Sequence, residues 1–91
     1  MNRSILVQLY DLHCRRTIAT LRPSRRSQAL RAKLTDQLLA LEKTWPDEAA
    51  FTLMFVRDEL DEADWDDVLA GKAVARRTPT GGFRLVRYGF G

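Results

Sequence analysis

The side chains best suited to binding chemistry lie in residues 72–91, which contain five basic residues and no acidic one. Two runs of strand-forming residues, 73–78 and 83–90, flank the Pro-Thr-Gly-Gly sequence of residues 79–82. This pattern predicts a β-hairpin. Arginine makes planar, bidentate contacts to phosphate and carboxylate groups, so a basic hairpin is suited to anions. Its candidate nucleic-acid-binding residues are Arg76, Arg77, Arg84 and Arg87.

A second basic group lies around Pro23. Arg22, Arg25 and Arg26 occupy a predicted turn, beside a helix amino terminus that attracts anions. We predict that these arginines also contact nucleic acid. A solvated turn is the alternative interpretation.

Seven acidic residues lie between positions 58 and 67. Acidic side chains at a helix amino terminus interact favourably with the helix dipole, but this explains only some of the seven acids. The remaining acids are interpreted either as a surface for a basic partner or as the solvated face of a capped helix. The residues assigned to the partner surface are Asp61, Asp64, Asp66 and Asp67.

The net charge of +3 conceals three blocks of opposite sign. Residues 1–46 hold nine basic and three acidic residues, residues 47–71 hold one and nine, and residues 72–91 hold five and none. Alternating blocks suit contact with nucleic acid or pairing between two copies of the chain.

Catalytic and metal-binding patterns are poorly represented. His13 and Cys14 are adjacent, so on a helix they point about 100° apart and do not form a Cys-His pair. One cysteine and one histidine do not complete a zinc site, and the acids lack the glycine-containing spacing of a calcium loop. We therefore expect no enzymatic activity, no cofactor and no metal.

The amino-terminal half predicts two helices. Polar residues between positions 4 and 22 recur at helical spacing, with Ser4 as N-cap, although a strand beginning at Ile5 is the alternative. A second apolar stripe has spacings of four, four, three and four, through Leu30, Leu34, Leu38, Leu41 and Trp45. A short Pro-Ser turn between the helices predicts an αα-hairpin.

The segment after Pro46 is ambiguous. Proline followed by two acids is typical of a helix start, yet the apolar run 49–56 fits a buried helix or a buried strand. We favour a helix. Asp61 is a suitable N-cap for a short helix over residues 62–70, and Gly71 suits the position after its end.

The predicted fold is therefore a single α+β domain of residues 1–91, mainly helical. It comprises an N-terminal αα-hairpin, one further helix or strand, a short capped helix and a C-terminal β-hairpin. Ninety-one residues suffice for one such domain.

Residues 47–91 resemble part of a winged-helix DNA-binding domain, in which the hairpin is the wing. The resemblance rests on Leu69-Ala70-Gly71 leading into a basic strand, the glycine turn, and Phe83-Arg84-Leu85. It implies that Arg76, Arg77 and Arg84 meet phosphates or the minor groove. The helix before the wing departs from the pattern, because its acids would repel a phosphate backbone. Contact would then come from the wing and from residues 22–31.

The last five residues, Arg87-Tyr88-Gly89-Phe90-Gly91, include one arginine and two aromatic residues. Such residues form platforms that stack bases, although packing into the core is the alternative.

The expected function is a small, non-enzymatic transcription regulator that binds nucleic acid, with duplex DNA favoured. The alternative is a protein-interaction or inhibitor module, of a kind found in mobile elements, whose acidic segment 58–67 binds a basic partner or a second copy in a homodimer. No apolar run approaches the roughly 20 residues of a membrane span, and charged residues interrupt any signal sequence. We therefore expect no membrane association and a cytoplasmic location.

Overall fold

The computed structural model describes residues 1–87, and four helices precede a two-stranded antiparallel hairpin. In chain order the elements are α1 (Arg3–Leu21), α2 (Arg25–Thr44), α3 (Pro46–Val56), α4 (Glu62–Leu69), β1 (Ala73–Arg77) and β2 (Phe83–Arg87). The mainly helical α+β prediction is confirmed, and the ambiguous run 49–56 belongs to a helix. The predicted extension of the last strand beyond residue 87 lies outside the described residues.

Local hydrogen bonds explain where the first two helices begin. The Asn2 side chain accepts a hydrogen bond from the Ile5 amide at 3.3 Å, so Asn2 is the N-cap of α1 and the prediction of Ser4 was wrong. The Asn2 amide itself donates to Glu48 Oε2 at 2.9 Å, which ties the start of α1 to α3. Ser24 and Ser27 form a reciprocal capping box at the start of α2.

Two clusters of buried side chains form the core. The first joins α1 to α2 through Ile5, Leu9 and Leu38. The second joins α1, α3, α4 and β1, and comprises Leu6, Phe51, Trp65, Val68 and Ala73. The hairpin packs on this second cluster through half-buried side chains that include Phe83 and Leu85.

The αα-hairpin is long relative to this core. The described chain measures 54 × 23 × 23 Å, and Leu21, near the turn between α1 and α2, is largely exposed. None of the helices within residues 1–87 is long and apolar enough to cross a membrane.

The end of α3 contains a strained backbone position. Asp58 has φ of 58°, in the left-handed region, and the following Glu59 amide donates to the Met54 carbonyl at 2.8 Å. Glycine adopts this conformation without the steric cost that a Cβ imposes.

We expect Asp58→Gly to raise the free energy of unfolding by about 0.5–1 kcal/mol, and Asp58→Ala to lower it. Urea unfolding followed by tryptophan fluorescence measures both, and a destabilised glycine variant would contradict this explanation.

His13 gives the fold a pH dependence. Burial lowers the pKa of His13 below its ordinary value of 6.5, with Arg16 adding to the decrease and Glu42 opposing it. The unfolded chain therefore takes up the proton first as the pH falls. The contribution of His13 is present above about pH 6.5 and is lost as the pH falls through the lower folded pKa.

We expect the free energy of unfolding to decrease between pH 7.5 and pH 5.5, and to decrease less in His13→Gln. Urea titrations at the two pH values provide the measurement. An equal decrease in both proteins would show that other groups cause it.

Candidate anion-binding surface of the hairpin

The strand register divides the hairpin side chains between two faces. Successive side chains of a strand alternate in direction, and paired residues share a face. Ala75 pairs with Leu85 and Arg77 with Phe83, on the inner face that packs against the core. Val74 pairs with Val86 and Arg76 with Arg84 on the opposite side. We call this second side, comprising Val74, Arg76, Arg84 and Val86, the outer face.

Two of the predicted arginines lie on the inner face and meet carboxylates. Arg77 Nη1 is 3.3 Å from Asp47 Oδ1, and its guanidinium lies 6.0 Å from the centre of the Phe83 ring. Arg87 donates to Asp64 and, at 3.2 Å, to Asp67 Oδ2. These hydrogen bonds raise the pKa of Arg87, with Asp64 contributing more than Asp67. Acids of α3 and α4 therefore neutralise both inner-face arginines.

The four acids predicted to bind a partner have different roles in the structure. Asp64 and Asp67 hold Arg87, whereas Asp61 caps α4 by accepting from the Ala63 amide at 2.9 Å. Asp66 is exposed and lies about 200° around the helix from Asp64. The four carboxylates thus do not form one surface, and their role in partner binding stays a prediction.

The outer face brings two arginines together. Arg76 and Arg84 are exposed and directly opposite each other, and neither makes an ion pair within residues 1–87. Directly opposed side chains have Cβ atoms about 4.5–5.5 Å apart, and like charges at that distance destabilise a strand pair. An anion held between the two guanidinium groups would remove this repulsion.

The other predicted arginines lie far from the hairpin. Arg22, Arg25 and Arg26 are all exposed in the turn between α1 and α2. The opposite end of α1 contacts the end of α4, just before the hairpin in the chain, where Arg3 Nη1 donates to the Leu69 carbonyl at 3.2 Å. A helix of 19 residues is about 28 Å long. The structure therefore places the two basic groups at opposite ends of α1.

Several contacts that position the helices and the hairpin could not be predicted from the sequence. The Arg3 contact with α4 and the Asn2 contact with α3 each join residues far apart in the chain. The Arg77–Asp47 pair is likewise a product of tertiary packing. Within residues 1–87, no group of three or more histidine, cysteine, aspartate or glutamate side chains is placed to hold a metal ion.

Comparison of the chain with protein-family models, with curated proteins and with solved structures finds no match. The winged-helix resemblance therefore stays a prediction. The observed order of helices followed by a two-stranded antiparallel hairpin neither confirms nor refutes it.

The link between Arg87 and α4 is testable through Asp64. We expect Asp64→Asn to lower the melting temperature at low ionic strength, because it removes one of the two carboxylates that pair with Arg87. The difference from the wild type should shrink in about 1 M salt, where exposed charges are screened. Asp66→Asn makes the same change of charge on the same helix at a side chain with no ion pair among residues 1–87. Equal melting temperatures for the two variants would contradict the assignment of Asp64 as a stabilising partner of Arg87.

Proposed function

We propose that the protein binds nucleic acid, with duplex DNA as the favoured ligand, through the outer face of its hairpin. The observation that supports this most strongly is the cross-strand pair of Arg76 and Arg84. These two arginines make no ion pair among residues 1–87, although α3 and α4 supply carboxylates to Arg77 and Arg87.

Anchoring of the inner face favours binding by the outer face. Phe83 and Leu85 pack on the core, and Arg77 and Arg87 pair with acids of α3 and α4 on the same face. A recognition surface that is already ordered loses less conformational entropy when it binds. The packed strands therefore place Arg76 and Arg84 side by side before any ligand binds.

The position of the hairpin also reduces the conflict with the acidic helix. The inner face contacts the core beside α4, so the outer face is directed away from it. A duplex on the outer face would be separated from Asp64 and Asp67 by the hairpin itself. Both carboxylates are already engaged with Arg87, which further weakens their repulsion of phosphates.

Contact by this surface would be made chiefly to phosphates. Phosphate contacts position a protein on a duplex and carry no direct sequence information. Two arginines alone predict weak binding with a modest salt dependence, since each phosphate contact adds about 0.9 to the slope of log K against log salt concentration. Arg22, Arg25 and Arg26 would add phosphate contacts only for a duplex lying along the long axis of the molecule, because they lie at the other end of α1.

The acidic segment is the less favoured binding surface. Asp61, Asp64 and Asp67 already accept hydrogen bonds from within the chain. A basic partner would have to displace Arg87 or compete with the cap of α4.

The proposal predicts the salt dependence of duplex binding. We expect the wild-type protein to bind a fluorescein-labelled DNA duplex at low ionic strength, as measured by fluorescence anisotropy. The slope of log K against log salt concentration should fall in magnitude by about 2 in the double variant Arg76→Ala, Arg84→Ala, since each lost phosphate contact contributes about 0.9.

The double variant Lys33→Ala, Lys43→Ala is the matched control. It also removes two positive charges, but from exposed positions of α2, and its slope should equal that of the wild type. Equal slopes for all three proteins, or no binding of the duplex by the wild type at low salt, would refute the proposal.

A further inference from the structure

A groove lies between α1 and α2 near their turn, separate from the hairpin. Its volume is about 320 Å³. Ile18 and Leu30 line it and are 60% and 47% exposed, whereas Ala19 and Leu34 form a floor that is only 7% and 3% exposed. We call this cavity the distal groove. Exposed apolar side chains beside a recessed apolar floor leave a surface that contact with a partner would bury.

The groove continues along the same seam toward the other end of the αα-hairpin. A second cavity of about 410 Å³ has a half-polar lining, which comprises Gln8, Asp11, Leu12, Gln37, Ala40 and Leu41. Gln8 and Arg22 are 14 residues apart on one face of α1, which corresponds to about 21 Å, or four helical turns. The seam therefore has the length and the shape that accept one additional helix, packed ridge into groove.

Positive charge surrounds the distal groove. Arg15 and Arg22 line it from α1 and its C-cap, and Arg26 shares a face of α2 with Leu30, four residues later. Arg15 lies 3.0 Å from Asp11, but both side chains are more than half exposed, and an exposed pair of this kind contributes little stability. Arg15 can therefore exchange this partner for another carboxylate.

We propose that the seam between α1 and α2 binds an amphipathic helix of a partner protein, with an apolar ridge flanked by acidic side chains. The ridge would fill the groove above Ala19 and Leu34. Its carboxylates would meet Arg15, Arg22 and Arg26, which gives this partner charge complementarity with the groove.

A membrane surface and a second copy fit the groove less well. A flat bilayer does not reach a floor recessed between two helices, whereas a ridge of side chains does. A second copy packed in parallel would bring identical arginines together. Among residues 1–87, Asp11 is the one acidic residue that lines the two cavities, so a copy packed antiparallel would offer the groove a carboxylate that already pairs with Arg15. The acidic α4 of a second copy is not available, because Trp65 and Val68 are buried in its own core.

The experiment uses the full chain and two labelled peptides of about four helical turns. Both carry leucine at i, i+4, i+7 and i+11; one has glutamate at the flanking positions and the other has lysine. Fluorescence anisotropy should show that the glutamate peptide binds, and that the lysine peptide binds at least about tenfold more weakly.

Two double variants test the groove itself. Ile18→Ser with Leu30→Ser removes the apolar contacts, and Arg15→Gln with Arg22→Gln removes the charges; each should weaken binding of the glutamate peptide about tenfold. The matched control is Leu39→Ser with Val56→Ser, which changes two similarly exposed apolar side chains outside the groove and should leave the affinity unchanged.

Three results of the peptide experiment would overturn the proposal: no binding of the glutamate peptide, equal binding of both peptides, or equal loss of affinity in the groove and control variants. Occupation of the groove by another ligand would also overturn it. Binding to phosphatidylglycerol vesicles without binding to the glutamate peptide would identify a lipid surface. A dimer in sedimentation equilibrium that Ile18→Ser with Leu30→Ser abolishes would identify a second copy as the occupant.

Discussion

The aromatic cluster around Trp65 determines how the elements of this small chain fit together. Trp65 stacks on Phe51 and Phe55, with ring centres 5.7 and 4.7 Å away, and Tyr10 contacts both Trp65 and Phe55. Phe83 meets Phe51 edge to face at 5.6 Å. These five rings come from three helices and the second strand. A domain of this size buries only about 60–65 per cent of its unfolded surface, so one such cluster supplies much of the apolar burial. The position of the hairpin against α4 depends on it.

The charges of the hairpin acquire different roles from this packing. Strand alternation assigns Arg76 and Arg84 to one face and Arg77 and Arg87 to the other. The face that packs on the core meets the acids of α3 and α4, and the opposite face does not. A shift of register by one residue would move the arginines of the shifted strand to the opposite faces and so separate Arg76 from Arg84. The acidic segment and the basic hairpin therefore belong to one arrangement, in which carboxylates pair with Arg77 and Arg87 and, among residues 1–87, with neither Arg76 nor Arg84.

Much of the fold can be predicted from the sequence because its signals are local. The leucine spacing and the serines at its start specify α2, and the Pro-Thr-Gly-Gly sequence specifies the hairpin turn. The run 49–56 could not be assigned from its periodicity, since Phe51 and Thr52 are buried among other elements and the segment has no polar stripe. The distinction between the two pairs of arginines was also missed. It depends on which face of the hairpin packs on the core, and on ion pairs between residues distant in the chain, such as Arg87 with Asp64.

Mapping a duplex onto the protein by NMR tests the central claim most directly, because it locates the contact surface residue by residue. When a short DNA duplex is added to ¹⁵N-labelled protein at low salt, the largest shifts should occur at the amides of the outer face, Val74, Arg76, Arg84 and Val86. Signals of α4 should change little. Shifts confined to the turn around Arg22 and Arg25, or to α4, with the hairpin unchanged, would contradict the claim that the outer face of the hairpin is the anion-binding surface.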